Sequence, residues 1–515
     1  MNDSIPTVLQ LRPQDNIGVA TQNLKEGQAI QLGSFRFSMQ ESVPFGHKLA
    51  LQTIEKDEPI HKYGQVIGFA TEKIPAGQWV HSHNLSAGDF SRDYAFCSEI
   101  PAPPTPLENI TFDAFRRANG QIGTRNYVAI LSSVNCSATV SKAIARRASE
   151  RLLANYPHVD GVIALTHKAG CAMQFDGEDH RQLSRVLAGF AKHPNISQFL
   201  IFGLGCETGS IPYLINQHQL VQITHPRQKQ TSVRALTIQE AGGTVAAIEA
   251  GLEQIAEILP LANEAKREPV SASHLKVGLE CGGSDGNSGI TANPALGAAA
   301  DLIVAAGGTA ILGETTEIYG AEHLLTRRAK TPEVAQKLVD RIHWWEEHTR
   351  KFGVIIDNNP SPGNKAGGLT TIYEKSLGAV AKAGSTAMTA VYQYAEPITE
   401  PGMVVMDTPG FDPSSVTGMV AGGANVVCFT TGRGSCFGCK PTPSIKIATN
   451  TPMYERLSDD MDVNAGEILT GQPIEEVGQA IFQTILDVAS GKKTRSEVHG
   501  IGDEEFIPWS IGPVL

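Results

Sequence analysis

The richest collection of reactive side chains lies in residues 280–297, ECGGSDGNSGITANPALG, which hold Cys281, Ser284, Asp285, Asn287, Ser288, Thr291 and Asn293. An apolar run precedes this stretch and an alanine-rich run, residues 294–306, follows it. Strand, glycine-rich turn and helix is the arrangement that presents backbone N–H groups to an anion. A connecting turn with polar caps is the simpler reading. Thiol, carboxylate, hydroxyl and amide groups packed this densely favour a site.

Thiols recur at the ends of apolar runs. Val134 leads to Cys136, Leu165 to His167 and Cys171, and Leu204 to Cys206. Cys136, Cys171 and Cys206 are spaced 35 residues apart, about one β-α repeat. The carboxyl ends of parallel strands share one edge. These thiols, with Cys281 ending a fourth strand, are therefore expected to converge. A single buried cysteine there is ordinary packing, but four at corresponding places point to a metal. With His167 beside them they suit iron, singly or as a cluster.

Basic turns supply the opposite charge. Residues 359–370, NPSPGNKAGGLT, fail the P-loop spacing but present Asn364 and Lys365 at a helix start, which suits a carboxylate; a structural turn is the alternative. Residues 430–440, TTGRGSCFGCK, carry Arg433, a fork for bidentate carboxylate recognition. Cys436 and Cys439 form a lone C-x-x-C, which is redox-active or a metal half-site. Residues 443–450 add Lys446. In residues 78–84, QWVHSHN, strand geometry puts His81 and His83 on one side, as a metal or substrate pair or as two half-exposed histidines. Glu314 and Glu317 are read as acids at a helix N-terminus, with a ligand or base role as the alternative.

These groups need elements to hold them. A chain of 515 residues exceeds one core and implies several domains. Residues 1–98 read as a small all-β module with turns every 10–15 residues. Residues 99–112 are a linker with prolines at 101, 103, 104 and 106. Residues 113–268 read as a first α/β domain with mostly parallel strands, and 269–515 as a second. Strands are expected at 127–134, 159–165, 199–204 and 233–238, and helices near 179–192 and 246–265. A formal charge of −11 argues against nucleic acid and anionic membrane as partners. No apolar run reaches transmembrane length, and the first residues lack a signal-peptide pattern. Eight cysteines in so long a chain indicate reduced thiols and a cytoplasmic setting.

Several stretches together resemble one family. The pattern GHKLAL, KYG, IGFA and WVHSHN resembles the SAF-type β-clip module that opens altronate and galactarate dehydratases. GTRNY at Gly123, SSVNC ending in Cys136, GLGCE at Gly203, the loop at Glu280, NPSPGNKAGG at Asn359, TTGRG at Thr430 and PSIKIATN at Pro443 resemble the rest of that family in order. The resemblance implies a hydro-lyase acting on a sugar acid with Fe2+, Mn2+ or another divalent metal. Altronate is the first expectation; galactarate and sulfolactate are substrates of similar proteins. An iron–sulfur cluster is the alternative cofactor, and a sugar-acid binding protein the alternative to an enzyme. A homo-oligomer is expected. In this reading His167 is the base, and Lys365, Arg433 and Lys446 hold the carboxylate. Ser284, Asn287 and Asn364 line the substrate, His81 and His83 close over it, and Asp285 serves the metal with Cys136, Cys171, Cys206 and Cys281.

Overall fold

A computed structural model describes residues 6–88, 93–222 and 232–512. The N-terminal module is built from short antiparallel strands. Val8–Leu9, Ile17–Ala20, Lys48–Ala50 and Trp79–Val80 form one sheet, Pro59–Lys62, Gln65–Ala70 and Leu85–Ser86 a second, and Ala29–Leu32 with Phe35–Ser38 a hairpin. Turns and short loops of two to nine residues join the strands, and most strands bury apolar side chains, such as Ile17, Leu49, Ile60 and Ile67.

The first α/β domain centres on a parallel sheet in the order Gly161–Leu165, Tyr127–Ser132, Ile196–Gly203, Arg234–Thr237. The central strands are buried on both faces, as continuous apolar runs require. Helices Ala138–Arg151 and Thr244–Asn263 share a core with one face. Helix Glu178–Ala191 covers the other and packs on helix Asp412–Ala421 of the next domain. The charged segment at the expected boundary between the two α/β domains forms a strand: Arg267–Ser271 pairs antiparallel with Thr111–Arg116, which takes in the end of the expected linker. The chain therefore enters and leaves this domain side by side.

The second α/β domain carries a seven-stranded parallel sheet. Its order is Met388–Tyr392, Gly402–Met406, Thr309–Leu312, Lys276–Cys281, Val426–Thr431, Ser444–Ala448, Val463–Asn464. Helices Ala292–Ala305 and Ile474–Ala489 pack together over one face, their apolar stripes buried against Leu279, Val426 and Ile445. The residues after helix Arg495–Val498 run back over the first domain. There Trp509 stacks on Trp345 with ring centroids 5.0 Å apart. No helix among the described residues is long and apolar enough to cross a membrane.

Candidate active site

The central feature is set by strand order. Lys276–Cys281 and Thr309–Leu312 are parallel neighbours with Leu279 opposite Leu312, so Glu280, Cys281 and Glu314 leave the same edge side by side. The Cys281 N–H donates to Glu314 Oε2 at 3.1 Å, and its sulfur lies 3.8 Å from Glu314 Oε1 and 3.7 Å from Glu317 Oε2. One ligand atom each from Cys281, Glu314 and Glu317 falls within 4.8 Å of the others, and the same holds for Glu280, Glu314 and Asp412. Asp412 reaches this point only because residue 282 is glycine: a Cβ there would collide with the Asp412 carboxylate. Glu314 sits in the left-handed region at φ 61°, held by its N–H bond to Thr408 Oγ1 at 2.6 Å. Glu314 and Glu317 are thus not helix-capping acids. Their carboxylates turn inward, to Lys382 at 2.5 Å and Lys375 at 2.6 Å.

Charge in this cluster does not balance. With every group ionised, three buried carboxyls (Glu280, Glu314, Glu317) and the half-buried Asp412 would outnumber two ammonium groups, Lys375 and Lys382. Burial, then the neighbouring Glu314 and Asp412, pushes Glu280 well above the usual carboxylate range. Burial, then Glu314 and Glu317, pushes Asp412 up to about 7. Burial and Glu314 likewise raise the Cys281 thiol. Glu280 Oε1 is buried without a hydrogen-bond partner, although its other oxygen accepts from Ser415 Oγ at 2.8 Å. Oxygen donors, one thiol and a deficit of positive charge fit a divalent cation.

The glycine-rich loops gather next to this cluster. Asn359 Nδ2 donates to Glu317 Oε1 at 2.9 Å, which ties the 359–370 turn to the carboxylates. Asn364 Nδ2 donates to the Ser284 carbonyl at 2.8 Å, and the Arg433 N–H to the Gly283 carbonyl at 2.8 Å. The β-clip module docks on the same loops. His81 Nε2 lies 2.9 Å from the Lys365 carbonyl, and the Gly46 carbonyl presses so close to Gly286 that a Cβ there would clash. Beneath this joint, Lys48 and Lys62 each reach the Glu374 carboxylate at 2.8 Å, all three fully buried.

Among the expected site residues, three keep charged or titratable side chains without protein partners among the described residues. Arg433 and His83 are exposed and Lys365 is half-buried; none forms a side-chain ion pair or hydrogen bond. Ser284 is buried beside them. Others serve as loop clasps. Asp285 accepts from Asn287, Ser288, Thr449 and Asn450 and belongs to neither metal-competent group; its lone pairs are filled, which corrects its assignment as a ligand. Asn364 closes a capping box with Ser361. Asn287 reaches Asp285, although its Oδ1 is buried and unpartnered. Lys446 is fully buried, bonded to the Phe437 carbonyl and Ser496 Oγ, and so ties down the C-terminal segment instead of facing the loops.

The remaining expected residues lie on the other sheet. Cys136, Cys171 and Cys206 are exposed at the carboxyl edge of the first α/β domain. Their loops are laced together: the Asn135 N–H donates to the Ala169 carbonyl at 2.9 Å, the Gly209 N–H to Gly170 at 3.1 Å, and Ser133 Oγ to Glu207 at 2.6 Å. Cys281 does not join them, because its strand belongs to the seven-stranded sheet. No three of the sheet-edge donors come within single-ion distance among the described residues. His167 is there too, buried, with Nε2 donating to the Ser132 carbonyl at 2.9 Å and Nδ1 accepting the Ala169 N–H at 3.2 Å. Both nitrogens are used, so the ring has no free lone pair for a substrate proton. All eight cysteines are free thiols, Cys436 exposed and Cys439 buried. Sequence reasoning missed Glu280, Asp412, Lys375, Lys382, Lys48, Lys62 and Glu374. One signal was present: Glu280 directly follows the apolar residues 277–279 of the strand Lys276–Cys281.

Comparison with known proteins covers almost the whole chain. Residues 6–88 match the altronate/galactarate dehydratase SAF domain, 114–263 the second domain of D-galactarate dehydratase/altronate hydrolase, and 272–514 the C-terminal domain of D-galactarate/altronate dehydratase. The altronate dehydratases of Bacillus subtilis and Escherichia coli are each 35% identical, over 95% of this chain and 96% of theirs. The galactarate dehydratase (L-threo-forming) of Escherichia coli is 37% identical over 97% of this chain and 96% of its own. The chain therefore belongs to the altronate/galactarate dehydratase family and is, with it, a carbon–oxygen lyase.

Proposed function

We propose that this protein dehydrates a six-carbon sugar acid, converting altronate to 2-dehydro-3-deoxy-gluconate and water with the help of a divalent metal. The observation that carries the reading is the carboxyl-rich cluster around Cys281 and Glu314, set beside two cations, Arg433 and Lys365, that have no ion-pair partner among the described residues. The first group suits a metal and the second suits a carboxylate. Cys281, Glu314 and Glu317 would hold the ion, Fe2+ or Mn2+, which when bound supplies Lewis-acid stabilisation of developing negative charge.

The chain's own residues account for the remaining work. Arg433 takes the substrate carboxylate as a planar fork and Lys365 as a point charge. Both spread the dianionic charge that forms when the proton leaves carbon 2. His83 of the docked module has ring nitrogens free of hydrogen bonds among the described residues, and it takes that proton. The carbon 3 hydroxyl leaves with a proton as water, and the enol reprotonates at carbon 3 to give the 2-keto acid. The β-clip module, seated on the Lys365 carbonyl through His81, shields the intermediate from bulk water.

Galactarate is the second candidate substrate, supported by the likeness to a relative of that specificity. A second reading of the cofactor rests on the laced loops of Cys136, Cys171 and Cys206. An iron–sulfur cluster binds its cysteines through separate irons and so tolerates thiols further apart than one ion does. The test is 2-keto acid formation from altronate, galactarate and sulfolactate under anaerobic conditions, with and without chelator and added Fe2+. Turnover of altronate that chelation abolishes and Fe2+ restores is expected. Full activity of metal-free protein refutes the metal, and no product from any of the three acids refutes the substrate class. His83→Ala should cut turnover at least tenfold; unchanged turnover would remove His83 from the mechanism. Visible absorption that Cys171→Ser removes would establish the cluster.

A further inference from the structure

A cavity lined by three arginines, Arg181, Arg185 and Arg341, lies at the seam of the two α/β domains. It encloses about 450 Å3 between helix Glu178–Ala191 of the first α/β domain, helix Pro332–Lys351 of the second and the C-terminal segment. That volume falls within the range of small-molecule pockets. Arg185 projects into it from mid-helix. Its Nε is buried without an acceptor, and its guanidinium forms no hydrogen bond or ion pair among the described residues. Glu396 and Glu178 are its nearest electrostatic partners but form no ion pair with it, and burial holds Arg185 below its usual value. Arg341, from the opposite helix, has only a long contact of 3.7 Å to Asp407. That carboxylate is already used by Thr315 Oγ1 at 2.7 Å and Trp345 Nε1 at 2.8 Å. Arg181, at the rim, is paired with Asp176. The aromatic wall is Trp344, Tyr394 and Trp509.

A half-buried guanidinium whose Nε is shut off from water without an acceptor is costly, because that N–H loses its water and gains no partner. An oxyanion supplies what is missing, since an arginine fork matches carboxylate and phosphate geometry. We infer that this cavity binds a small organic oxyanion, its carboxylate or phosphate held by Arg185 and Arg341 and its body laid on the aromatic wall. Such a ligand would span both α/β domains and the C-terminal segment. None of its lining residues is a proposed metal or substrate residue, although Asp407 in its wall accepts from Thr315, the neighbour of Glu314, and the inference does not depend on which sugar acid the enzyme dehydrates.

The experiment is calorimetric titration of the full chain with benzoate, phenyl phosphate and inorganic phosphate, beside thermal unfolding. Saturable binding of benzoate identifies a carboxylate site, and of phenyl phosphate a phosphate-ester site. In either case Arg185→Gln and Arg341→Gln should each weaken binding tenfold or more, with dehydratase turnover retained. Without ligand, Arg185→Gln should leave the melting temperature unchanged or raise it, because no bond is lost. Absence of saturable binding by all three probes overturns the inference. So does equal binding by wild type and both variants, or binding of inorganic phosphate that Arg341→Gln leaves untouched. A fall in melting temperature in ligand-free Arg185→Gln would show that the arginine is structural.

Discussion

Replacing Glu374 with glutamine should detach the β-clip module from the site it completes. The Glu374 carboxylate accepts from Lys48 at 2.8 Å, Lys62 at 2.8 Å, and the Thr370 N–H and hydroxyl at 2.9 and 2.7 Å. Burial raises its pKa, but the two lysines outweigh burial and hold it well below the usual carboxylate range. Glutamine keeps the shape and removes the charge, which strands two buried ammonium groups. Breaking a buried pair costs about 3–5 kcal/mol. An independent estimate agrees, since neutralising one lysine at pH 7 costs about 4.6 kcal/mol from its ordinary pKa. Lys48→Met removes the surplus cation and leaves Lys62 matched to Glu374, so its cost should stay below about 2 kcal/mol.

The two variants also differ in pH dependence. Burial, only partly offset by Glu374, and the second lysine lower Lys48 to about 8. Below pH 8 both folded and unfolded states carry the proton. Between pH 8 and 10.5 the folded state sheds it first, so stability should rise with pH, by about 3 kcal/mol across the window. Lys48→Met should lose that rise. Hydrogen exchange of residues 48–50 and 65–70, urea unfolding and turnover together read the effect. Glu374→Gln protein within about 1 kcal/mol of wild type, with unchanged exchange and turnover, would refute the argument.

Two further outcomes follow. Arg433→Lys and Lys365→Met should each reduce kcat/KM at least tenfold with no change in unfolding midpoint, since neither side chain has an ion-pair or hydrogen-bond partner among the described residues; a fall in kcat would assign them to the transition state, and a rise in KM alone to ground-state binding. His167 and His193 are each lowered by burial to about 4, so their contribution to stability is complete above pH 6.5 and is lost as pH falls through 6.5 toward 4. Together they should cost about 4 kcal/mol by pH 5, and a flat urea midpoint between pH 7 and 5 would contradict this.

Much of the architecture is local and was legible in the chain. Apolar runs of strand length, such as residues 127–132 and 426–431, can only be central strands, because both faces of those strands are buried. The all-β start follows from its turn spacing. The glycine-rich loops at 280, 359 and 430 were recognisable because polar groups and glycines interrupt strand and helix at the anion-binding position. Arg433 and Lys365 were legible for the same reason: long cations in such loops have little core to cover. What the chain could not reveal was the order of strands within each sheet. Residues 136, 171, 206 and 281 all follow strands, yet Cys281 belongs to a sheet of its own. There it lies between strands that begin at residues 309 and 426, which brings Glu314 and Glu317 to its thiol and Asp412 to the neighbouring Glu280. Sequence spacing is blind to that choice, because hydrogen-bonded neighbours in a parallel sheet are selected by packing across the whole domain. The Lys48–Glu374–Lys62 joint spans more than 300 residues of chain, and nothing local marks those lysines as buried. Tertiary structure alone decided which charges face one another, and with that which residues are placed for a metal, which are left open for an anion and which hold the fold.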